Sequence, residues 1–311
     1  MSEAVKGEPA AKPALTRADR IDWALHLAMT AMPAPLCSAL GARLSPIMGR
    51  KANPAAHLHA RAALAALRPE WGRDPAALDA AMDRLWESAG RTFAEYAVSL
   101  RMLRAGRATI AGEADLDAAL NAGRPIIALF VHTGNFEMSE MQIAFRAPNR
   151  VVVIYDPPKR AARAAIALKI RRQVPCELLP MSRLVWRHTL ERLRDPRCIF
   201  MTAADEAVDG HIGAPFFGRP PRLDGNLGKV ARLAMRTGAL VLPFFDERHP
   251  GPRFTTHVLP PFDFKGSPND EAAVRAAVVA MDAAFTPHVL RLIDQWFSAL
   301  LYNSAAPDGW G

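Results

Sequence analysis

At 311 residues, half of them hydrophobic and 23% charged, the chain is long enough for one large α/β domain or two small ones and too apolar for global disorder. Its 39 Lys and Arg against 31 Asp and Glu give a formal net charge of +8, which suits an anionic partner: nucleic acid, an acidic membrane surface or an acidic protein. The three cysteines, Cys37, Cys176 and Cys198, are far apart and odd in number, which argues against a disulfide framework or a zinc site and for a reducing compartment.

Residues 1–19 are polar and rich in Pro and Ala; they read as a flexible tail, with no signal peptide ahead of the first apolar stretch. Residues 20–110 read as a helical region. It begins "IDWALHLAMTAMPAPLCSALGARLSPIMG", in which Trp23 to Leu40 carries no formal charge apart from His26. A membrane span is one reading. Pro33 and Pro35 interrupt the stretch and Arg43 follows it, so two short helices on a membrane face, with Trp23 at the interface, are expected instead. Ordinary core helices are the third reading. Further on, "DPAALDAAMDRLWESAGRTFAEYAVSLRMLR" has apolar residues at helical spacing, with Asp74 as N-cap and Pro75 in the first turn.

From residue 111 to 304 the pattern changes to an α/β core. "DLDAALNAG" predicts a short helix ended by Gly123. "PIIALFV", "VVVIY", "CIFMTA" and "ALVLPFF" are continuous apolar runs that fit buried parallel strands, and "RFTTHVL" fits an edge strand. Helical stretches lie between them: "KRAARAAIALKIRR", "RLVWRHTLERLR" and "GNLGKVARLAMRTG". The alternation predicts a mostly parallel central sheet flanked by helices in a single domain. A C-terminal helix from about 270 to 301, broken at Pro287, would close the chain.

In such sheets ligands sit beyond the carboxyl ends of the strands, and "ALFVHTGNFE" places His132, Gly134, Asn135 and Glu137 there. An imidazole suits proton transfer near neutral pH, and a carboxylate one helical turn on can fix its tautomer. No Gly-x-Ser-x-Gly elbow accompanies it, so a nucleophile would have to come from the substrate. The plain alternative is a strand end followed by a helix cap. Gly225 and Gly228 in "GNLGKVARLA" have neither Walker nor Rossmann spacing, and no nucleotide, cofactor or metal site is expected.

"HTGNFE" resembles the His-x4-acidic box of the lysophospholipid acyltransferase superfamily, and within it the lipid A biosynthesis (lauroyl/myristoyl) acyltransferases and their phosphatidylinositol-mannoside relatives. "TAADEAVDGHIGAPFFGRP", "LDGNLGKVARLAMRTGALVLPFF" and "IDQWF" resemble further segments of that family in the same order, so the likeness covers about residues 20 to 301. It implies an acyltransferase on the cytoplasmic face of a bacterial inner membrane. The enzyme would move a fatty acyl chain from acyl carrier protein or acyl-coenzyme A to a hydroxyl of a membrane glycolipid, without an acyl-enzyme. His132 would be the general base and Glu137 its orienting partner. Oxyanion donors would come from the backbone of Gly134 and Asn135 or from the Asn135 amide. Asp205 or Glu206 would support the base or contact the acceptor, unless they cap a solvated loop. Phe216, Phe217 and Gly218 either shape a pocket or pack in the core.

The basic stretch holding Lys159, Arg160 and Arg163 would face the donor or lipid headgroups, unless it is simply a solvated helix face. Two departures accompany the likeness: Phe136 replaces the usual box Trp, and Asp156 stands where the lipid A enzymes usually carry an arginine. The second leaves another glycolipid or an aminolipid open as acceptor. A catalytically inactive lipid-binding protein of the same fold is the alternative function. A nucleic-acid-binding protein is a weaker one, since no such module is visible and no aromatics interleave the basic residues.

Overall fold

The computed structural model describes residues 16–301, apart from 156, 157, 159, 183, 206, 209 and 210. A helical layer comes first. α1 (Arg17–Ala31) starts inside the stretch read as a tail, because Thr16 and Asp19 form a reciprocal capping box. It ends at Met32. Pro33 is the N-cap of α2 (Ala34–Ala52), so the uncharged stretch is two helices rather than one continuous span. α3 (Pro54–Leu67) and the single turn α4 (Pro69–Gly72) lead to α5 (Pro75–Glu95). Asp74 caps α5 by accepting the N–H groups of Ala76 and Ala77, as its position before Pro75 predicts. A 3-10 turn, Tyr96–Val98, joins α5 to α6 (Ser99–Arg104).

Strands and helices then alternate: β1 (Ala108–Ala111), α7 (Glu113–Asn121), β2 (Ile126–Val131), α8 (Phe136–Arg146), β3 (Val151–Tyr155), α9 (Ala161–Arg171), β4 (Cys176–Pro180), α10 (Val185–Arg192) and β5 (Ile199–Ala203). A small hairpin, β6 (Ala207–Val208) and β7 (His211–Ile212), precedes α11 (Asn226–Thr237), β8 (Leu240–His249), β9 (Arg253–Val258) and α12 (Glu271–Arg291). Seven strands form one sheet in the order β1-β9-β8-β2-β5-β3-β4, parallel throughout except for the β8–β9 hairpin.

The continuous apolar runs are central strands because helices cover both faces. Ile127, Leu129, Val131, Phe200, Val241 and Phe245 point to the side packed by α5, α11 and α12. Their neighbours Ile126, Ala128, Phe130, Ile199, Leu242 and Phe244 point to the side packed by α7 and α8. Each of these large side chains contributes about 1.5–3 kcal/mol by leaving water. The connection β2–α8–β3 runs one way along the sheet and β5–α11–β8 the other, so the crevice opens at the carboxyl ends of β2 and β5.

Three expectations fail for physical reasons. β9 is not an edge, because the short, half-exposed β1 pairs outside it; the other edge, β4, mixes Glu177 and Pro180 with its apolar residues. Neither edge reads as an apolar run. α12 continues through Pro287, where one missing N–H is outweighed by the burial of Phe285 and Val289. It ends at Arg291, and the remainder is two 3-10 turns, Ile293–Gln295 and Phe297–Leu300. Among the described residues α12 is the helix long and apolar enough to cross a bilayer, yet Val274, Val278, Met281 and Phe285 pack into the core.

Candidate active site

Strand register builds the site. In the parallel pair β2–β5, Phe130 lies opposite Ala203, so continuing two residues brings His132 level with Asp205. In the parallel pair β2–β8, Val131 lies opposite Phe245, which brings Asp246 to the same level on the other side. The bonding follows. The His132 backbone N–H donates to Asp205 Oδ2 at 3.0 Å, and its ring Nδ1 lies 2.8 Å from Asp205 Oδ1. On the opposite flank the Asn135 N–H donates to Asp246 Oδ2 at 2.6 Å, and the Thr133 hydroxyl donates to the Asp246 carbonyl at 2.7 Å.

Asp205 is buried, and burial alone would raise its pKa; the His132 charge and hydrogen bonds outweigh that and hold it below the usual carboxylate range. An ionised carboxylate only accepts, so Nδ1 carries the ring proton and Nε2 presents its lone pair. For His132 burial pulls the pKa down, while the Asp205 charge and hydrogen bond pull harder, leaving it above 6.5. The side chain is still 26% exposed. Phe130 and Phe136 stand edge-on to the ring, at 5.2 and 4.6 Å between centroids, and fix its plane. The arrangement is a partly exposed imidazole bonded through Nδ1 to a buried carboxylate, chemistry that can take up a proton at Nε2.

Glu137, expected to orient the ring, is engaged elsewhere. Its two oxygens accept from Arg171 Nη2 at 3.0 and 3.2 Å, and Arg171 also lies 3.6 Å from Glu140. The reason is geometric: Asp205 arrives on a neighbouring strand at the level of the imidazole, whereas Glu137 has turned with α8 toward the end of α9. Burial, then the charge of Glu137, pushes Glu140 up to about 7. The expected oxyanion donors are also occupied. The Gly134 N–H donates to the Gln295 carbonyl, the Asn135 N–H to Asp246, and the Asn135 amide to Glu95 while its oxygen caps Met138. Arg160 and Arg163 both pair with Asp22 of α1, at 3.0 and 3.2 Å, while their side chains stay 38% and 58% exposed. Lys159, Glu206 and Asp156 lie outside the described residues.

Two clamps hold the His132 turn in place, and neither is visible from the motif itself. The chain end forms one: the Phe297 N–H donates to the His132 carbonyl at 2.8 Å, and Trp296 Nε1–H to Asp205 Oδ2 at 2.8 Å. A buried ion pair forms the other. Arg248 reaches Glu95 through two bonds of 2.7 and 2.8 Å and also donates to Thr92, whose hydroxyl donates to the Gly134 carbonyl. Gly134 is required for two reasons: its φ is +57°, and a Cβ there would overlap Asp246 Oδ2. Asp246 itself is pushed well above the usual carboxylate range by burial, against the Asn135 N–H and the Arg248 charge.

The profile of the family described as bacterial lipid A biosynthesis acyltransferase matches residues 15–298. The chain belongs to this family. Among curated proteins, the phosphatidylinositol mannoside acyltransferases of Mycobacterium tuberculosis strains CDC 1551 / Oshkosh and ATCC 25618 / H37Rv are each 30% identical to it over 137 residues. The aligned stretch is 43% of this chain and 42% of either relative, so it spans less than half the length of these proteins.

The other segments that resemble the lipid A acyltransferase family converge on the same place. Phe217 lies edge-on to Trp296 at 5.6 Å, behind Asp205, while Phe216 is buried in the core. "IDQWF" supplies the Gln295, Trp296 and Phe297 contacts. Of the clamp residues, Glu95, Thr92, Asp246 and Arg248 carry no local signature. A buried acid near the end of an apolar strand, as in "LPFFDER", is the single hint the sequence holds.

Proposed function

We propose that the protein transfers a fatty acyl chain from an acyl thioester, on acyl carrier protein or coenzyme A, to a hydroxyl of a membrane glycolipid, with a lipid A-type acceptor favoured. The His132–Asp205 pair at the end of the central strand carries this reading. His132 Nε2 takes the proton from the acceptor hydroxyl as its oxygen attacks the thioester carbonyl. The carbon–oxygen bond forms and the carbon–sulfur bond breaks. The proton held on Nε2 passes to the departing thiolate, so no acyl-enzyme is needed. Asp205 stabilises the imidazolium in between, by charge and hydrogen bond.

With the Gly134 and Asn135 N–H groups bonded elsewhere, the oxyanion would be met by the first-turn N–H groups of α8, at Phe136 and Glu137, which precede intrahelical bonding. The acceptor would come from the bilayer. Ile21, Leu25, Leu36, Leu44, Ile47 and Met48 are exposed on α1 and α2, which supports docking on the cytoplasmic face of the inner membrane.

The test is acyl transfer by purified protein, with labelled acyl-carrier-protein and acyl-coenzyme-A donors and total bacterial lipid as acceptor, products being identified by mass. A new acylated lipid, absent with folded His132→Ala protein, is expected. Donor consumption no higher than background would refute the reading and favour a lipid-binding protein, and a fully active mutant would refute the role of His132.

A further inference from the structure

Three consecutive residues of the turn that carries His132 rest on Asp246, a fully buried residue of β8. The Thr133 hydroxyl donates to its carbonyl at 2.7 Å, Gly134 lies against Oδ2 with no room for a Cβ, and the Asn135 N–H donates to Oδ2 at 2.6 Å. Asn135 is in turn the N-cap of α8, its side-chain oxygen accepting from the Met138 N–H. Asp246 therefore sets the direction of the first turn of α8, and with it the Phe136 and Glu137 N–H groups.

Charge is unbalanced here. Asp246 faces Glu95 from α5, Arg248 from its own strand, Asn135 from the turn and Thr256 from β9, and of these only Glu95 and Arg248 are charged. Two buried carboxylates thus share one buried guanidinium, and a net charge left in the interior is unfavourable. The bonding decides which acid gives way. Glu95 accepts both Arg248 bonds, at 2.7 and 2.8 Å, and the Asn135 amide at 2.9 Å. Asp246 Oδ1 has no donor among the described residues. Thr256, opposite Asp246 in the β8–β9 pairing, donates its hydroxyl proton to Gln142 Oε1 at 2.6 Å, so it offers Asp246 lone pairs only. That environment suits a carboxyl group with its proton on Oδ1 and disfavours the anion. Burial acts in the same sense and pushes Asp246 well above the usual carboxylate range.

We propose that Asp246 is a positioning residue for acyl transfer, holding the His132 turn as an undissociated carboxylic acid whose carbonyl oxygen accepts the Asn135 N–H. The role in transfer rests on the acyltransferase reading; the protonation state does not. Once ionised, Asp246 would compete with Glu95 for Arg248 and loosen the chain from Arg248 through Thr92 to the Gly134 carbonyl. The rate should therefore fall on the alkaline side. The sign for stability follows from the raised folded-state value. Unfolding releases the proton at any pH above the unfolded value of about 4, so the buried acid destabilises the fold increasingly as pH rises and not at all below that value.

Asp246→Asn keeps an acceptor for Asn135 and has no proton to hold. In thermal melting of the intact protein from about pH 4 to about pH 8, its melting temperature relative to wild type should climb as pH rises. A difference that stays constant, or that turns toward wild type with rising pH, would show an ionised Asp246 and overturn the proposal. In the acyl-transfer assay Asp246→Ala should lower kcat at least tenfold with little change in KM. Asp246→Asn should recover most of that loss and move the alkaline fall of the rate to higher pH. Asparagine no better than alanine, or an alkaline limb unmoved by asparagine, would overturn the positioning role. Melting is read without turnover: the expected melting behaviour in a protein that transfers no acyl chain would refute the acyltransferase reading, and the positioning role with it, and leave the buried acid standing.

Discussion

In the proposed reaction His132 is the base, and Asp205, 73 positions away, sets its strength. A general base must be neutral, and Asp205 holds this imidazole above 6.5, so activity should be lost as pH falls through a value above 6.5. The same pair has the opposite sign for stability. A raised folded-state pKa stabilises the fold below 6.5, and that contribution disappears as pH rises through the raised value. Trp296→Phe keeps an aromatic ring in the core but removes a donor to the buried carboxylate. It should cost about 1.5–3 kcal/mol in urea denaturation. The imidazole was legible in "HTGNFE" because a polar group directly after a buried strand is unusual. Its partner was legible only as one of two acids after the third apolar run. What selects Asp205 is strand register, which no local spacing encodes.

At the level of elements, the site is a turn gripped from three directions. Gly134→Ala would combine a left-handed backbone, worth about 1–2 kcal/mol against a Cβ, with an overlap on Asp246. Loss of more than 2 kcal/mol of stability, together with loss of activity, is expected from chemical denaturation and the acyl-transfer assay. Arg248→Met strands Glu95 in the interior and should cost about 3–5 kcal/mol. Replacing both partners, as Glu95→Leu with Arg248→Met, should recover part of that loss, the rest being the Asn135 amide left without its acceptor. If the single and double variants are equally unstable, the ion pair is not the clamp. The central strands and most helices followed from apolar runs, caps and helical spacing. β1 and β4 did not, because edge strands alternate exposure over only four or five residues. Pro287 misled for the same kind of reason: the core contacts of Phe285 and Val289 override a local breaker.

Over the whole molecule, the net charge of +8 already counts the acids that pair with its arginines. Arg160 and Arg163 are tied to Asp22, and Arg171 to Glu137 and Glu140. With Ile21, Leu25, Leu36, Leu44, Ile47 and Met48 exposed on α1 and α2, apolar insertion should outlast charge attraction in membrane binding. Flotation with anionic phospholipid vesicles should retain the protein at high salt, and Ile47→Glu with Met48→Glu should lower binding at least tenfold. Binding abolished by salt and indifferent to the double mutation would assign the membrane contact to another surface. The order of motifs along the chain made the family legible.

The central claim is that Asp205 tunes and orients His132 for acyl transfer. The pH–rate profile of the wild type against Asp205→Asn and Glu137→Gln tests it most directly. A neutral amide cannot hold the imidazolium, so Asp205→Asn should move the acid limb to lower pH and cut the plateau rate about 10³–10⁴-fold. Glu137→Gln should leave the limb much closer to its wild-type position. An unmoved limb in Asp205→Asn, with a rate near wild type, or a limb displaced more by Glu137→Gln, would contradict the account.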